Sequence, residues 1–366
     1  MPTADELLGT SVVADLANCL ERATGRARLS VIRNSAAGFA GTSLSDRTKL
    51  VRDALLADLP GEFADLERVV RVALEDLSFT GWMIWPVTEA VAGLATGSGN
   101  HEDFDAGMAL LASLTPRLTG EFAIRTFLDA DLDRALGIVL DWTGHDDEHV
   151  RRLASEGTRA RLPWARRVRA LTDRPESTVP VLDALYRDDS EYVRRSVANH
   201  LNDLSRADAS LAVSTAKRWL TRPDATTVKV VKHALRTLVK AGDPGALELL
   251  GFAPPTEIEI SNFVVDRDVV PSGGDLRFDF VVHNNGAESL TVVVDYVVHH
   301  VKANGKTAPK VFKLTTRRLE PASATSIGKR HSFAPISTRT YYPGEHSIDV
   351  QINGVQQGRK SFQLEG

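Results

Sequence analysis

Cysteine is almost missing from this sequence: Cys19 is the one cysteine in 366 residues. A single thiol cannot form an internal disulfide, and it cannot supply the several thiolates of a structural zinc or iron–sulfur site. The chain is therefore not a disulfide-stapled secreted domain, and its composition favours the reducing cytoplasm. No other group of metal ligands stands out, so we predict neither a metal nor a small-molecule cofactor.

Long apolar segments are missing as well. No stretch reaches the roughly 20 apolar residues that are needed to cross a bilayer. The acidic start Met1–Glu6 lacks the basic-then-apolar layout of a secretory signal. We therefore predict no association with membranes. The net charge of −4 argues weakly against a nucleic-acid partner, but such binding depends on a local basic face rather than on the average.

Residues 1–252 carry the three- and four-residue spacing of amphipathic helices. Examples are the predicted helices Asp5–Leu20 and Phe63–Leu77, each with one apolar stripe and one polar face. The pattern ends at the proline-rich segment 251–255, where a helix cannot continue. We therefore predict a first domain over residues 1–252 and a second over residues 256–366.

The second domain alternates between apolar and polar residues, as strands do. The clearest predicted strands are residues 257–265, 276–283 and 290–298. Turn signals of the hairpin kind stand at Asn284–Gly286, Asn304–Gly305 and Asn353–Gly354. Several short strands in this length predict a β-sandwich. The predicted fold class is mainly α: a HEAT-like helical-repeat solenoid, followed by an all-β immunoglobulin-like sandwich.

An internal repeat supports the solenoid. Residues 146–154 and 188–198 share an acidic start followed by Val-Arg-Arg, and a weaker copy occupies residues 230–238. The equivalent valines Val150, Val193 and Val230 lie 43 and 37 residues apart. This period is typical of HEAT-type repeats, in which pairs of helices stack and the inner helices line a concave surface.

Charged residues recur at equivalent positions of these copies. Because residues four apart share a helix face, one face is predicted to carry Arg152, Glu156, Arg195, Asn199, Asp203, Lys232, Arg236 and Lys240. The first arginines, Arg151 and Arg194, are equally well explained by a structural ladder of ion pairs with Asp146, Asp147, Asp188 and Asp189. The second arginines, and those that follow Glu156, have few acids nearby in the sequence. We predict that they neutralise the phosphates of a duplex.

Glu156 stands in an unusual place. It precedes Gly157 near a predicted helix C-terminus, where an acid opposes the helix dipole. A carboxylate in such a position among arginines favours a functional role. The alternative is a simple ion pair between Arg152 and Glu156.

Three segments resemble the AlkC branch of the alkylpurine DNA glycosylases. They are Leu118–Leu128, His149–Ala165 and Tyr192–Ser205, and the middle one is long and specific. The resemblance covers most of the first domain, and some AlkC members end in an immunoglobulin-like domain. A more distant resemblance to the AlkD glycosylases accompanies it. The position of a lesion-facing aromatic in AlkD is matched here by Asn199, so the AlkD mechanism cannot be carried over whole.

The resemblance implies a bacterial, nucleoid-associated enzyme that excises cationic methylated bases from double-stranded DNA. The implied substrates are 3-methyladenine and, second, 3-methylcytosine, and the implied route works on a bent duplex without full extrusion of the base. No cofactor is implied, and we predict a monomer. The implied catalytic residues are Glu121, Glu156, Asp203 and Trp164. The implied DNA-binding residues are Arg152, Arg159, Arg161, Arg166, Arg195, Asn199, Lys232 and Arg236.

Each assignment has a structural alternative. Glu121 follows Thr119-Gly120 and is also explained as an acid in the first turn of a helix. Trp164 is also explained as core between repeats, and Asp203 as a cap or a partner of Arg206. Trp82 and Trp85 are predicted to be core. In the second domain, a predicted hairpin carries Lys302, Lys306, Lys310, Lys313, Arg317 and Arg318, either as a DNA contact or as a solvated surface.

Two other functions stay open at this point. One is a HEAT-type scaffold that binds a protein partner without chemistry, since a fold alone does not fix a function. The other is a protein that binds DNA without acting on it. A carboxylate set into an arginine-rich face favours the enzyme over both.

Overall fold

The computed structural model describes residues 3–26, 28–252, 257–336 and 339–366. The chain divides into two compact units. A helical unit comprises Met1–Leu211 with Arg218–Ala234, and a β unit comprises Ala212–Lys217 with Leu235–Gly366. The domain boundary predicted at residues 253–255 falls outside the described residues and stays a prediction. Within the described residues, no helix is both long and apolar enough to span a membrane.

Helices form nearly all of the helical unit. Their bounds are α1 (Ala4–Leu7), α2 (Thr10–Thr24), α3 (Ser30–Ser35), α4 (Leu44–Asp58), α5 (Phe63–Ala73), α6 (Ile84–Gly97), α7 (His101–Leu114), α8 (Ile124–Ala130), α9 (Leu132–Trp142), α10 (Glu148–Glu156), α11 (Arg169–Asp173), α12 (Val179–Leu185), α13 (Glu191–Leu204), α14 (Ala209–Trp219) and α15 (Thr227–Ala234). Short 3₁₀ turns lie at Ala36–Gly38, Gly81–Met83 and Pro175–Thr178. Two more helices, α16 (Arg236–Ala241) and α17 (Pro244–Leu249), belong to the β unit.

The helices stack in two layers. α4, α6 and α8 pack in series, as do α10, α13 and α15, and α5, α7, α9 and α12 form the second layer. The repeat predicted from the sequence is confirmed, because Val150, Val193 and Val230 are buried on three successive helices of one layer. This is the packing of a helical-repeat solenoid, in which each helix pair buries its apolar stripe against its neighbours.

Several predicted helix boundaries are wrong for local reasons. The segment predicted as Asp5–Leu20 is broken at Gly9, where a Cβ would lie 2.3 Å from the Asp5 carbonyl oxygen. α5 ends at Ala73, and Leu77 beyond it is 81% exposed. Lys232 and Arg236 do not share one helix, because α15 ends at Ala234 and α16 begins at Arg236.

The β unit is built from β1 (Ile258–Val265), β2 (Val269–Val270), β3 (Asp275–Asn284), β4 (Leu290–Val301), β5 (Thr307–Leu319), β6 (Ser323–Ser332), β7 (Gly344–Ile352) and β8 (Val355–Leu364). One sheet has the order β1-β3-β6, and the other has the order β2-β8-β7-β4-β5. Phenylalanines of β3 and aliphatic residues of β4 and β7 meet in one core between the sheets. The predicted sandwich is therefore confirmed.

Two of the three turn signals connect hairpins as predicted. Asn304–Gly305 joins β4 to β5, and Asn353–Gly354 joins β7 to β8 with φ angles of 48° and 75°. The hairpin prediction is wrong for Asn284–Gly286, because β3 and β4 lie in different sheets. Asn284 instead donates to the carbonyls of Glu288 and Glu320, and so holds a crossover between the sheets.

Candidate active site

The end of α10 places Glu156 in the interior of the helical unit. Asp147 caps the start of α10, accepting a hydrogen bond from the His149 amide at 2.7 Å. At its end, a Cβ on Gly157 would lie 2.8 Å from Ile124 Cγ2. Because Gly157 has no side chain, α10 and α8 approach closely there, and Glu156 is only 7% exposed.

Three carboxylates and two arginines alternate in a continuous chain of ion pairs around Glu156. Glu121 Oε2 lies 2.7 Å from Arg152 Nη1, and Arg152 Nη2 lies 3.6 Å from Glu156 Oε1. Glu156 Oε1 lies 2.5 Å from Arg159 Nη1, and Arg159 Nη2 lies 2.8 Å from Asp203 Oδ2. We call these five residues the carboxylate chain. It links the turn before α8, the helix α10, the loop after α10 and the helix α13.

The carboxylate chain is largely shielded from water. None of its side chains is more than 15% exposed. Burial raises the pKa of the Asp203 carboxyl, and the adjacent Arg159 opposes this only in part. Burial also lowers the pKa of Arg159, but Glu156 and Asp203 outweigh it and leave that pKa raised. Buried ion pairs contribute little to stability, because both charges lose their hydration. Several such pairs in one place are therefore typical of a functional site.

Hydroxyl groups and a histidine support Glu156 from the interior side. Ser196 Oγ lies 2.6 Å from Glu156 Oε2 and 3.0 Å from Ser155 Oγ. His200 Nδ1 lies 2.8 Å from the Ser155 carbonyl oxygen, and its Nε2 lies 3.2 Å from Thr178 Oγ1. Burial, reinforced by Arg159, lowers the pKa of His200 to about 3. His200 is therefore a neutral ring at physiological pH.

A buried arginine fixes the loop that follows α10. Arg125 is 1% exposed and donates to the carbonyls of Gly157 at 3.3 Å, of Arg159 at 3.0 Å and of Arg166. No carboxylate of the described residues lies within ion-pair distance of its guanidinium. Burial lowers the pKa of Arg125 to about 10. Arg125 thus holds the backbone on both sides of Trp164.

Trp164 projects from this loop. Its side chain is 91% exposed, and its φ of 61° lies in the left-handed region that bulky residues rarely adopt. A strained backbone conformation persists only where the surrounding structure imposes it, and such strain is concentrated at functional sites. The alternative of Trp164 as core between repeats is wrong.

Aromatic side chains border the carboxylate chain. The guanidinium of Arg152 stacks over the Tyr192 ring at 5.0 Å, and His149 meets the same ring edge-on. The residue after Glu121, Phe122, stacks on Trp85 with ring centroids 4.6 Å apart. Trp85 and its neighbour Trp82 are half-buried and pack against each other, so they lie at the border of the core.

The structure brings together five of the predicted site residues, namely those of the carboxylate chain. The expectation that the second arginines, and those after Glu156, have few acids nearby is wrong. Glu121 pairs with Arg152, Asp203 with Arg159, and Asp129 of α8 with Arg166. Arg195 Nη2 lies 3.8 Å from Glu191 Oε1 on the same helix. Asp203 pairs with Arg159 rather than with Arg206. Glu121 lies before the first turn of α8, where it pairs with Arg152.

The remaining predicted DNA-binding residues lie at or near the surface. Arg161, Arg195 and Lys232 are exposed, and Asn199 and Arg236 are half-buried. Their contact with DNA stays a prediction. The ladder alternative is confirmed for Arg151, which pairs with Asp188 at 2.7 Å. Arg194 instead donates to the backbone carbonyls of Asp188 and Asp189.

The sequence reading passed over Arg125, Ser196 and His200, although each carried a signal. Arg125 stands among the buried Ala123, Ile124, Phe127 and Leu128, where an aliphatic residue is the rule. Ser196 and His200 occupy positions of the apolar stripe that contains Val193, Val197 and Leu201. A polar residue on a core-facing stripe needs a hydrogen-bond partner, and this requirement points to an internal network.

Comparisons with known proteins agree with this architecture. Residues 259–366 match the family model described as the C-terminal immunoglobulin-like domain of the uncharacterised protein YhaZ. The chain is 34% identical over 323 residues to the uncharacterized protein YhaZ of Bacillus subtilis strain 168, spanning 88% of this chain and 87% of YhaZ. It is 32% identical to the Pseudomonas fluorescens alkylpurine DNA glycosylase AlkC, solved bound to DNA that contains an abasic site analogue. The TM-score is 0.88, and all of both chains is covered.

These similarities define the class of protein. It is a helical-repeat protein with the fold of an alkylpurine DNA glycosylase, followed by an immunoglobulin-like domain. Within that class, identity and full coverage decide the family. The chain belongs to the AlkC family.

Proposed function

We propose that this protein is a DNA glycosylase of base excision repair that removes cationic N3-methylated bases from duplex DNA. The proposed substrates are 3-methyladenine and, second, 3-methylcytosine. The observation that carries the proposal is the carboxylate chain, in which three largely shielded carboxylates are linked through Arg152 and Arg159. Its net charge is −1. The likeness to an AlkC structure with bound DNA supports a DNA partner.

The proposed chemistry requires neither a metal nor a general acid for the leaving base. N3-methylation gives the base a positive charge, so it departs as a neutral molecule when the glycosidic bond breaks and takes the bonding electron pair. The sugar becomes oxocarbenium-like, and the oxygen of a water molecule then bonds to C1′. A carboxylate stabilises the cationic sugar and accepts the proton that the water releases.

Two oxygens of the carboxylate chain are available for this task. Glu121 Oε1 and Asp203 Oδ1 accept no hydrogen bond from any residue that the structure describes, whereas the other oxygen of each carboxylate is held by an arginine. Both oxygens of Glu156 are engaged, by Arg159 and by Ser196. We propose that Glu156 supplies fixed negative charge, and that Glu121 and Asp203 offer oxygens to the sugar and to water.

The surface around the carboxylate chain suits DNA. We propose that Arg161, Arg166, Arg195, Asn199, Lys232 and Arg236 contact the phosphates, and that Trp164 faces the lesion. An exposed tryptophan adds attraction for a cationic base through its ring face. Arg152 and Arg159 are each paired with two carboxylates, so we propose that they position these acids. We also propose that the enzyme acts without fully flipping the base and that it is a monomer. Both points rest on the resemblance to AlkC.

The test is release of 3-methyladenine from methylated duplex DNA under single-turnover conditions. We expect Glu156→Gln, Glu121→Gln and Asp203→Asn each to lose about 100-fold or more in rate while DNA affinity is retained. Asp133→Asn, which removes an exposed ion pair with Arg174, is the matched control and stays at the wild-type rate. A folded wild type that binds DNA but releases no base above the spontaneous rate would leave a DNA-binding protein without chemistry.

A further inference from the structure

Two hydroxyl groups border the interior side of Glu156. Ser196 has a single hydroxyl hydrogen, which it can donate to Glu156 Oε2 at 2.6 Å or to Ser155 Oγ at 3.0 Å. The charged carboxylate is the stronger acceptor, so the Ser196 hydroxyl directs its hydrogen toward Glu156 Oε2.

A neutral histidine holds this arrangement in place. The Ser155 carbonyl can only accept, so His200 Nδ1 carries the hydrogen, and Nε2 accepts from Thr178. One tautomer is therefore fixed. All four residues are at most 3% exposed, namely Ser155, Ser196, His200 and Thr178. If one of their hydroxyl groups is removed and the packing stays the same, a water molecule has no access to take its place.

We propose that Ser196 is a positioning residue for base excision, which holds the Glu156 carboxylate in one orientation through the hydrogen bond to Oε2. The inference rests on the proposed function and names a residue that acts through Glu156 without touching DNA. When the Ser196 hydroxyl is removed, Arg159 still holds Oε1 but Oε2 loses its donor. The carboxylate is then free to rotate away from the orientation that the site requires.

The other contacts of Glu156 remain in place when Ser196 is changed. Arg159 Nη1 lies 2.5 Å from Glu156 Oε1, and Arg152 Nη2 lies 3.6 Å from the same oxygen. Both arginines therefore hold Oε1, and among the described residues Ser196 is the hydrogen-bond donor to Oε2. A change at Ser196 thus isolates the bond that fixes Oε2.

The experiment compares the single-turnover rate of 3-methyladenine release and the DNA affinity of the wild type, Ser196→Ala and Ser196→Thr. Ser196→Ala is expected to lower the rate about tenfold while DNA affinity is retained, because the carboxylate loses the donor to Oε2. Ser196→Thr keeps the hydroxyl group and is expected to recover most of the wild-type rate.

Ser205→Ala is the matched control, because Ser205 is also buried next to the end of α13 but donates only to the Asn202 carbonyl. Its rate is expected to equal that of the wild type. The inference is overturned if Ser196→Ala keeps the wild-type rate, or if Ser196→Thr loses as much rate as Ser196→Ala, as a general loss of packing would cause. Failure of the wild type to release any base would count instead against the proposed function.

Discussion

Arg125 shows how one side chain can organise the site without belonging to the carboxylate chain. Its charge is buried without a carboxylate partner among the described residues, and its hydrogen bonds go to three backbone carbonyls. Burying an unpaired charge costs free energy, and a fully aliphatic helix face would avoid that cost. What the guanidinium provides is a fixed path for the loop between Gly157 and Arg166, which carries Arg159 and Trp164.

Replacing Arg125 should therefore loosen this loop and destabilise the fold. We expect Arg125→Met to lower the free energy of unfolding by about 3 kcal/mol, because three carbonyls lose their donor. We also expect faster proteolysis between residues 157 and 168. Arg174→Met, which removes an exposed pair with Asp133, should stay within about 0.5 kcal/mol of wild type. Equal stability of the two variants by urea denaturation would show that Arg125 does not hold the loop.

At this scale the sequence predicts what is local or periodic. Arg152 and Glu156 lie four apart, and Asp203 follows from the next repeat, so helix periodicity grouped all three. The pairing of Arg152 with Glu121 joins residues 31 positions apart on different elements, and no period encodes it. Glu121 was assigned through its family resemblance alone. Arg166 also finds its acid on another helix, which is why its partner could not be predicted.

Among the elements, β4 is unusual because both of its faces are buried. Val294 and Tyr296 enter the sandwich core, while Val293 and Val297 on the opposite face are also covered. The near-continuous apolar run of this strand is typical of strands that are covered on both sides. The outer face includes Asp295, which is 1% exposed and has no hydrogen-bond partner for Oδ1 among the described residues. Burial raises the pKa of Asp295 to about 6.

Asp295 should therefore reduce the stability of the β unit at neutral pH. Its folded pKa lies above the unfolded value, so the folded state binds more protons, and stability falls as pH rises from about 4 to about 6. We expect Asp295→Asn to stabilise the β unit by on the order of 2 kcal/mol at pH 7.5 and to have little effect at pH 4. The charges near it, Lys240 and Lys313, are exposed and stay solvated.

Asp349 provides the contrasting control on β7. It is buried too, but Arg359 and His299 outweigh the effect of burial and hold its pKa below the usual range. Asp349→Asn should therefore destabilise the β unit at pH 7.5. If both variants shift the thermal midpoint in the same direction, the balance between burial and ion pairing does not determine whether a buried aspartate stabilises the β unit.

For the molecule as a whole, titratable groups are distributed unequally between the two units. His300, His331 and His346 are buried in the β unit, each with one ring nitrogen that has no partner among the described residues. Burial lowers their pKa values, to about 3 for His300 and about 4 for His331. In the helical unit, burial lowers the pKa of His200, whereas burial raises the pKa values of Asp203 and Glu89.

These shifts predict that acid unfolds the β unit first. Each buried histidine binds protons more weakly when folded, so its contribution to stability is complete above about pH 6.5 and is lost as pH falls toward the folded pKa. Three such histidines lie in the β unit, and the raised pKa of Asp295 offsets only part of their effect as pH falls. The five tryptophans, Trp82, Trp85, Trp142, Trp164 and Trp219, all lie in the helical unit, so their fluorescence reports on that unit alone.

We expect the protection of backbone amides against hydrogen exchange to fall in peptides from β3 to β8 as pH is lowered from 6 to 4.5. Tryptophan fluorescence should stay native over the same range. His300→Phe, which keeps a ring among Phe312, Phe333 and Tyr341 but removes one titrating group, should move the β-unit transition to lower pH. Fluorescence and exchange that change together at one pH would mean that the units unfold as one. The buried histidines would then set the acid limit of the whole chain, because loss of the β unit would unfold the carboxylate chain with it.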